Sequence, residues 1–175
     1  MIYLYVQIND CSIFVPTNKT VENVDIQNEI KSTVELHINK KILLNILFCQ
    51  NEVVEKCNEV LKPFDLSSEQ YNVLRILRGQ KGNPANMGCI QERMICKTSN
   101  TTRLVDKLLL KNLVTREICP SNRRKIEVNI TQKGLDILAD LDPAITAYEN
   151  QFVQNMTSSE LEILNELLEK YRSKK

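Results

Sequence analysis

The sequence predicts a mainly helical α+β protein in which one small β-hairpin interrupts a series of helices. Three observations carry that expectation. Apolar residues recur at helical spacing along most of the chain, and the period drops to two only from Val114 to Ile130. Glycine is scarce, at 4 of 175 residues, which suits long helices better than a many-turned β protein. Two helix-start signatures, Ser67–Gln70 and Thr157–Glu160, stand directly before apolar-periodic stretches.

Taken in order, residues 1–24 read as an N-terminal extension, either a small hairpin or disordered. Ile2 to Ile8 is rich in β-formers, and Asn9-Asp10 is a turn signal. Residues 25–62 carry no Gly or Pro. Ile26, Ile30, Val34, Ile38, Ile42, Ile46, Val53, Cys57 and Val60 fall near helical spacing, which predicts a long amphipathic helix, broken or continuous, that ends before Pro63. Such a helix needs a large apolar partner, and a second copy of the chain is the expected supplier. Ser67 should cap the next helix, with Gln70 reaching back and Leu66 and Tyr71 as its hydrophobic staple, and Gly79 should stop it. Asn83-Pro84 then breaks the chain before a short helix through Met87, Ile90 and Met94.

A third helix is expected from Thr98 or Ser99 as cap, with Leu104, Val105, Leu108 and Leu109 inward and Asn112 as a left-handed stop. Val114, Arg116 and Ile118 then alternate with polar residues, as do Ile126, Val128 and Ile130, so a two-stranded hairpin follows, with a cationic tip at Arg123 and Arg124. Thr131 should cap a long helix containing Pro143, and Thr157 the last one. Three helices followed by a two-stranded wing make a winged helix-turn-helix over residues 63–131. Residues 25–62 and 132–175 are then the long N- and C-terminal dimerisation helices.

Composition narrows the function. Hydrophobic residues are 42% and charged residues 26%, an ordinary folded composition, and with 5% aromatics and no Trp the core must be aliphatic. The chain lacks a basic signal-peptide start and an apolar run of roughly 20 residues, so a cytoplasmic protein without membrane contact is expected. Of the six cysteines (Cys11, Cys49, Cys57, Cys89, Cys96, Cys119), none forms a C-x-x-C pair, and the single His37, placed within the first helical stretch, stands apart from them all. No metal site, cofactor or catalytic constellation is expected, and a Gly-rich phosphate loop is missing, so an enzyme is the weakest reading. Most of the thiols should be small hydrophobes in cores. The net charge of +1 is unevenly spread: Lys97 to Lys133 holds nine Lys or Arg against three Asp or Glu. A cationic segment of that kind is what phosphate binding requires.

The third helix has a surface suited to a DNA groove. Thr98, Ser99, Asn100, Thr102, Arg103 and Lys107 are its polar candidates. Short hydroxyl and amide groups permit close approach to bases, and Arg103 can fork onto guanine or phosphate. Arg123, Arg124 and Lys125 complete the candidate set at the wing, where a narrow minor groove attracts arginine. A thiol-based redox regulator, and a winged-helix protein-interaction module without DNA function, are the alternatives.

The stretch Ser99-Asn100-Thr101-Thr102-Arg103-Leu104-Val105-Asp106-Lys107-Leu108 followed by Asn112-Leu113-Val114-Thr115-Arg116 resembles the MarR family around its recognition helix. Asn122-Arg123-Arg124-Lys125, with Val128-Asn129-Ile130-Thr131-Gln132-Lys133-Gly134, resembles that family's wing and the helix start beyond it, and the similarity extends over about residues 26–172. The resemblance implies a homodimer on double-stranded DNA at a pseudo-palindromic operator, repressing or activating, under a small-molecule effector or an oxidant. The chain departs from the pattern in three ways. It has Asn112 where the family usually has Gly, Ser121 and Asn122 where acidic residues often precede the paired arginines, and no Cys between Cys11 and Cys49, where a peroxide-sensing thiol would sit.

Overall fold

The computed structural model describes residues 25–118 and 125–173. It is mainly helical with one small antiparallel sheet, in the order α1 (Ile26–Glu29), α2 (Ile38–Leu61), a 3₁₀ turn (Lys62–Phe64), α3 (Ser68–Arg78), β1 (Ala85–Asn86), α4 (Met87–Arg93), α5 (Thr101–Leu110), β2 (Val114–Ile118), β3 (Ile126–Ile130), α6 (Gln132–Phe152) and α7 (Ser158–Arg172).

The first of two units is described over residues 25–49, and the expected N-terminal extension of residues 1–24 lies outside the described residues. Asp25 caps α1 by accepting from the Gln27 N–H at 3.0 Å. The break expected in the first helical stretch falls between α1 and α2, where Lys31 takes a positive φ of 52°. His37 corrects the sequence reading. It precedes α2 rather than lying within a helix, its ring Nδ1 accepts from the Asn39 N–H at 3.4 Å, and it is exposed. The first half of α2 leaves Ile38, Ile42, Leu43, Leu47 and Phe48 exposed.

The second unit, from Gln50 onward, closes its own core. Leu61 from the end of α2, Val73 and Leu74 from α3, Ile90 from α4, Val105 and Leu108 from α5, Val128 from β3, and Leu138 and Leu141 from α6 are fully buried and packed together with Met94 and Leu113. The caps of α3 and α6 are as the sequence predicts. Ser67 and Gln70 form a reciprocal capping box on α3, and Thr131 accepts from the Gly134 N–H at 3.1 Å at the start of α6. Each such cap is worth about 1 kcal/mol. Outside the core, the Arg78 guanidinium pairs with Asp142 at 2.7 Å, tying α3 to α6, and the Tyr148 hydroxyl donates to the Val53 carbonyl at 3.1 Å, tying α6 to α2.

The sheet has three strands, not two. Ala85 and Asn86 form a short strand that pairs with Val128 and Glu127, giving the order β1-β3-β2. Two residues are too few to display alternation, so the sequence pattern could not announce them. The hairpin pairs Val114 with Ile130 and Ile118 with Ile126.

Candidate nucleic-acid interface

Helix α5 is amphipathic by construction. Thr101, Val105 and Leu108 are buried, Leu104 and Leu109 pack half-buried beside them, and Thr102, Arg103, Asp106, Lys107 and Leu110 are exposed. The inward face is held by dispersion and by a hydrogen bond from the Thr101 hydroxyl to Gln91 of α4. The outward face is free of the core, so its polar groups are available to a ligand.

The start of α5 differs from the sequence expectation. Neither Thr98 nor Ser99 caps it. Asn100 does, its side-chain oxygen accepting from the Arg103 N–H at 3.1 Å. Thr98 and Ser99 belong to the preceding turn, which is closed by the Ser99 N–H on the Cys96 carbonyl at 3.2 Å and braced by the Gln91 amide on the Lys97 carbonyl at 2.8 Å. Five consecutive hydroxyl or amide residues, Thr98 to Thr102, all suit a cap locally. Packing decides among them, because burying Thr101 against Gln91 sets the helix to begin one residue after Asn100. Asn100 and Arg103 are both exposed, and Ser99 is half-buried.

The end of α5 is as expected. Asn112 takes φ 57°, its N–H reaches the Leu109 carbonyl at 2.9 Å, and the Leu113 N–H reaches the Leu108 carbonyl at 3.0 Å. This pair of bonds is the Schellman arrangement, with the buried Leu113 and Leu108 as its apolar contact.

Of the remaining candidates, Lys125 is exposed at the foot of β3, while Arg123 and Arg124 lie outside the described residues. Sequence reasoning missed one contact on this surface. The Arg116 guanidinium in β2 meets the Asp106 carboxylate of α5 at 2.7 Å. It links the wing to the helix and neutralises the one carboxylate on the exposed face of α5. The signal was present, since Asp106 sits mid-helix among cations and Arg116 on the next strand, but period and spacing do not reveal a contact across elements.

An open cleft of about 870 Å³ runs between the last turns of α2, the start of α3 and the end of α5, with Glu55, Glu59, Lys62, Asp65, Lys107 and Lys111 among its walls. Lys111 pairs with the Asp65 carboxylate at 2.9 Å across it.

The cysteines also depart from expectation, because none of the four described ones is fully buried. Cys57 and Cys89 sit at the core's edge, and burial pushes the Cys57 thiol up. Cys96 is exposed in the turn before α5. Hydrogen bonds from the Thr98 and Ser99 hydroxyls and the Thr98 backbone hold its thiol below the ordinary range, with Sγ 3.3 Å from Thr98 Oγ1. Among the described residues no group of His, Cys, Asp and Glu is placed to hold a metal, and no helix is long and apolar enough to cross a membrane.

Comparison with known proteins agrees with this geometry. Residues 66–126 match the model of the MarR family. The chain is 24% identical over 130 residues to the HTH-type transcriptional regulator MhqR of Bacillus subtilis, covering 74% of this chain and 88% of that protein. In fold it is similar to a putative MarR-like transcription regulator from Bacillus cereus, with a TM-score of 0.69 and 24% identity over 77% of this chain and 95% of that one. It is also similar to a mutant MarR from E. coli complexed with operator DNA, with a TM-score of 0.67 and 24% identity over 85% of this chain and 99% of that one.

Proposed function

We propose that the chain is a DNA-binding transcriptional regulator of the MarR type, which binds a pseudo-palindromic operator as a cytoplasmic homodimer and represses from there. Helix α5 enters the major groove through Asn100, Thr102, Arg103 and Lys107, with Thr98 and Ser99 on the adjoining phosphates. Arg123, Arg124 and Lys125 reach the minor groove from the wing. The observation that carries this reading is the division of α5, with Val105 and Leu108 locked in the core and Thr102, Arg103 and Lys107 facing out beyond the Asn100 cap.

The domain plan follows. Residues 63–131 bind DNA, and residues 25–62 and 132–175 bring two copies together, because α2 and α7 carry apolar side chains that stand exposed in a single chain. A small-molecule effector would act in the cleft between α2, α3 and α5, whose walls include the Asp65–Lys111 pair that touches the end of α5.

The test is selection of bound duplexes from a random-sequence pool. An inverted repeat with half-sites about one helical turn apart is expected, with affinity falling steeply as salt rises. Recovery of no enriched sequence, or affinity indifferent to salt, would contradict the reading.

A thiol-based switch is a second reading favoured by one residue, Cys96, whose exposed thiol lies within hydrogen-bonding distance of Thr98 and precedes the cap of α5 by four positions. Oxidation there would disturb the turn that leads into the helix. Site-resolved alkylation of the native protein tests it, and a Cys96 that reacts no faster than a simple thiol at neutral pH removes it.

A further inference from the structure

The end of α5 and the start of α6 share one set of hydrogen bonds. Three successive carbonyls at the close of α5 are all taken by the opening residues of α6. Lys133 Nζ donates to the Lys111 carbonyl at 3.1 Å, the Thr131 hydroxyl donates to the Asn112 carbonyl at 2.9 Å, and the Thr131 N–H donates to the Leu113 carbonyl at 3.0 Å. The same Thr131 hydroxyl accepts from the Gly134 N–H at 3.1 Å. The hydroxyl thus donates its one proton to Asn112 and uses a lone pair to accept from Gly134.

Gly134 completes the join. A methyl group there would collide with the Leu113 carbonyl oxygen and lie 2.8 Å from Ile130 Cγ1, so the two segments approach as closely as a bare α-carbon permits. Asn112, between them, is fixed in the left-handed region.

We propose that Thr131 is a positioning residue: through its bridging hydroxyl, and against Gly134, it fixes the orientation of α5 relative to α6 and thereby the half-site spacing that the protein accepts. The inference rests on the reading that α5 contacts DNA and that α6 belongs to the region joining two copies. A rotation of α5 by a few degrees at this join moves its exposed N-terminal side chains, about ten residues and 15 Å away, by an ångström or more. Base-edge hydrogen bonds do not tolerate that displacement.

Capping and bridging separate chemically. Thr131→Ser keeps both roles. Thr131→Asp still caps α6, since a carboxylate accepts from Gly134, but it has no proton to donate to Asn112. Thr131→Val loses both. Two measurements decide the matter on the full chain. Residual dipolar couplings of backbone amides in DNA-free protein give the orientation of α5 against α6. Binding to a wild-type-selected duplex, and to the same duplex rebuilt with its half-sites one base pair closer or farther, gives the spacing preference.

Thr131→Ser is expected to match wild type in both. Thr131→Asp should reorient α5 and change the ratio of affinities between spacings by about five- to tenfold, which a general loss of stability would not do because it scales every duplex alike. If Thr131→Asp does not fold, Lys133→Ala, which removes only the Lys111 bond of an exposed side chain, should move both readouts less and in the same direction. Unchanged couplings in Thr131→Asp, or in Lys133→Ala where the first fails to fold, would overturn the proposal. A wild-type protein that selects no duplex would instead remove the DNA reading, and the couplings would still decide whether Thr131 sets the orientation.

Discussion

Helices α3 and α7 start with the same device and finish in opposite surroundings. Each opens on a reciprocal capping box, Ser67 with Gln70 and Thr157 with Glu160. Of the 11 residues of α3, six are buried, and of the 15 in α7 none is. Yet α7 carries Ile163, Leu164, Leu167, Leu168 and Tyr171, each between 40% and 58% exposed. Capping and amphipathicity are local properties that a sequence can write by itself. Burial needs a second surface, and α3 finds one within the chain while α7 does not among the described residues. The core around α3 is thus closed within a single copy, whereas the apolar face of α7 stands exposed there.

The largest effect expected tests the closed side. Leu138→Ala, at a fully buried position of α6, should lower unfolding free energy by about 2–5 kcal/mol in urea titration, because the cavity cannot collapse against so many rigid neighbours. A loss under about 1 kcal/mol would mean that the core is looser than its burial indicates.

The open side should respond differently. Leu164→Glu with Leu168→Glu should leave the helical signal of the winged unit in place while abolishing the concentration dependence of the melting temperature and weakening self-association by about 100-fold or more. Unaltered association in sedimentation experiments would show that the apolar face of α7 is not where two copies meet.

A smaller effect sharpens the contrast at α5, whose inner face belongs to the closed side and whose outer face is open. Arg103→Ala should weaken duplex binding by about 1–3 kcal/mol, measured by fluorescence anisotropy, with little change in stability. Arg116→Ala should cost about 1 kcal/mol or less in stability, because an exposed ion pair contributes little, but it should impair DNA binding by leaving the Asp106 carboxylate uncompensated. Asp106→Asn should restore binding in the double variant. Failure of that rescue would separate the ion pair from the interface.

The smallest effect concerns thiol titration. Because hydrogen bonds from Thr98 and Ser99 favour its thiolate, alkylation of Cys96 should rise at lower pH than for a simple thiol. Burial opposes the charged form of Cys57, so its alkylation should rise at higher pH. Peptide-resolved rates across pH check both, and a reversed order would contradict the hydrogen bonding described at the turn before α5.

Much of this fold was legible in the residues. Ser67, Thr131 and Thr157 cap helices where the sequence puts them, and Asn112 makes the left-handed stop that a missing glycine required. These are short-range effects, decided within a few residues. The failures are long-range. Asn100 takes the cap of α5 because Thr101 is buried against Gln91, ten positions away. The β1 strand exists because Val128 and Glu127 lie alongside it. The Asp106–Arg116 pair and the Thr131 bridge both depend on elements meeting in space. For the candidate site, residue types and their helix were readable, whereas the turn that holds Thr98 and Ser99 was not.

On the proposed function, two copies close over their open helices and present paired α5 helices to one duplex. Native mass spectrometry of the full chain with a selected inverted repeat tests it most directly. The expected spectrum shows two chains per duplex and a free dimer in the absence of DNA. A free monomer that remains monomeric at micromolar concentration, or one chain per duplex at saturation, would contradict it.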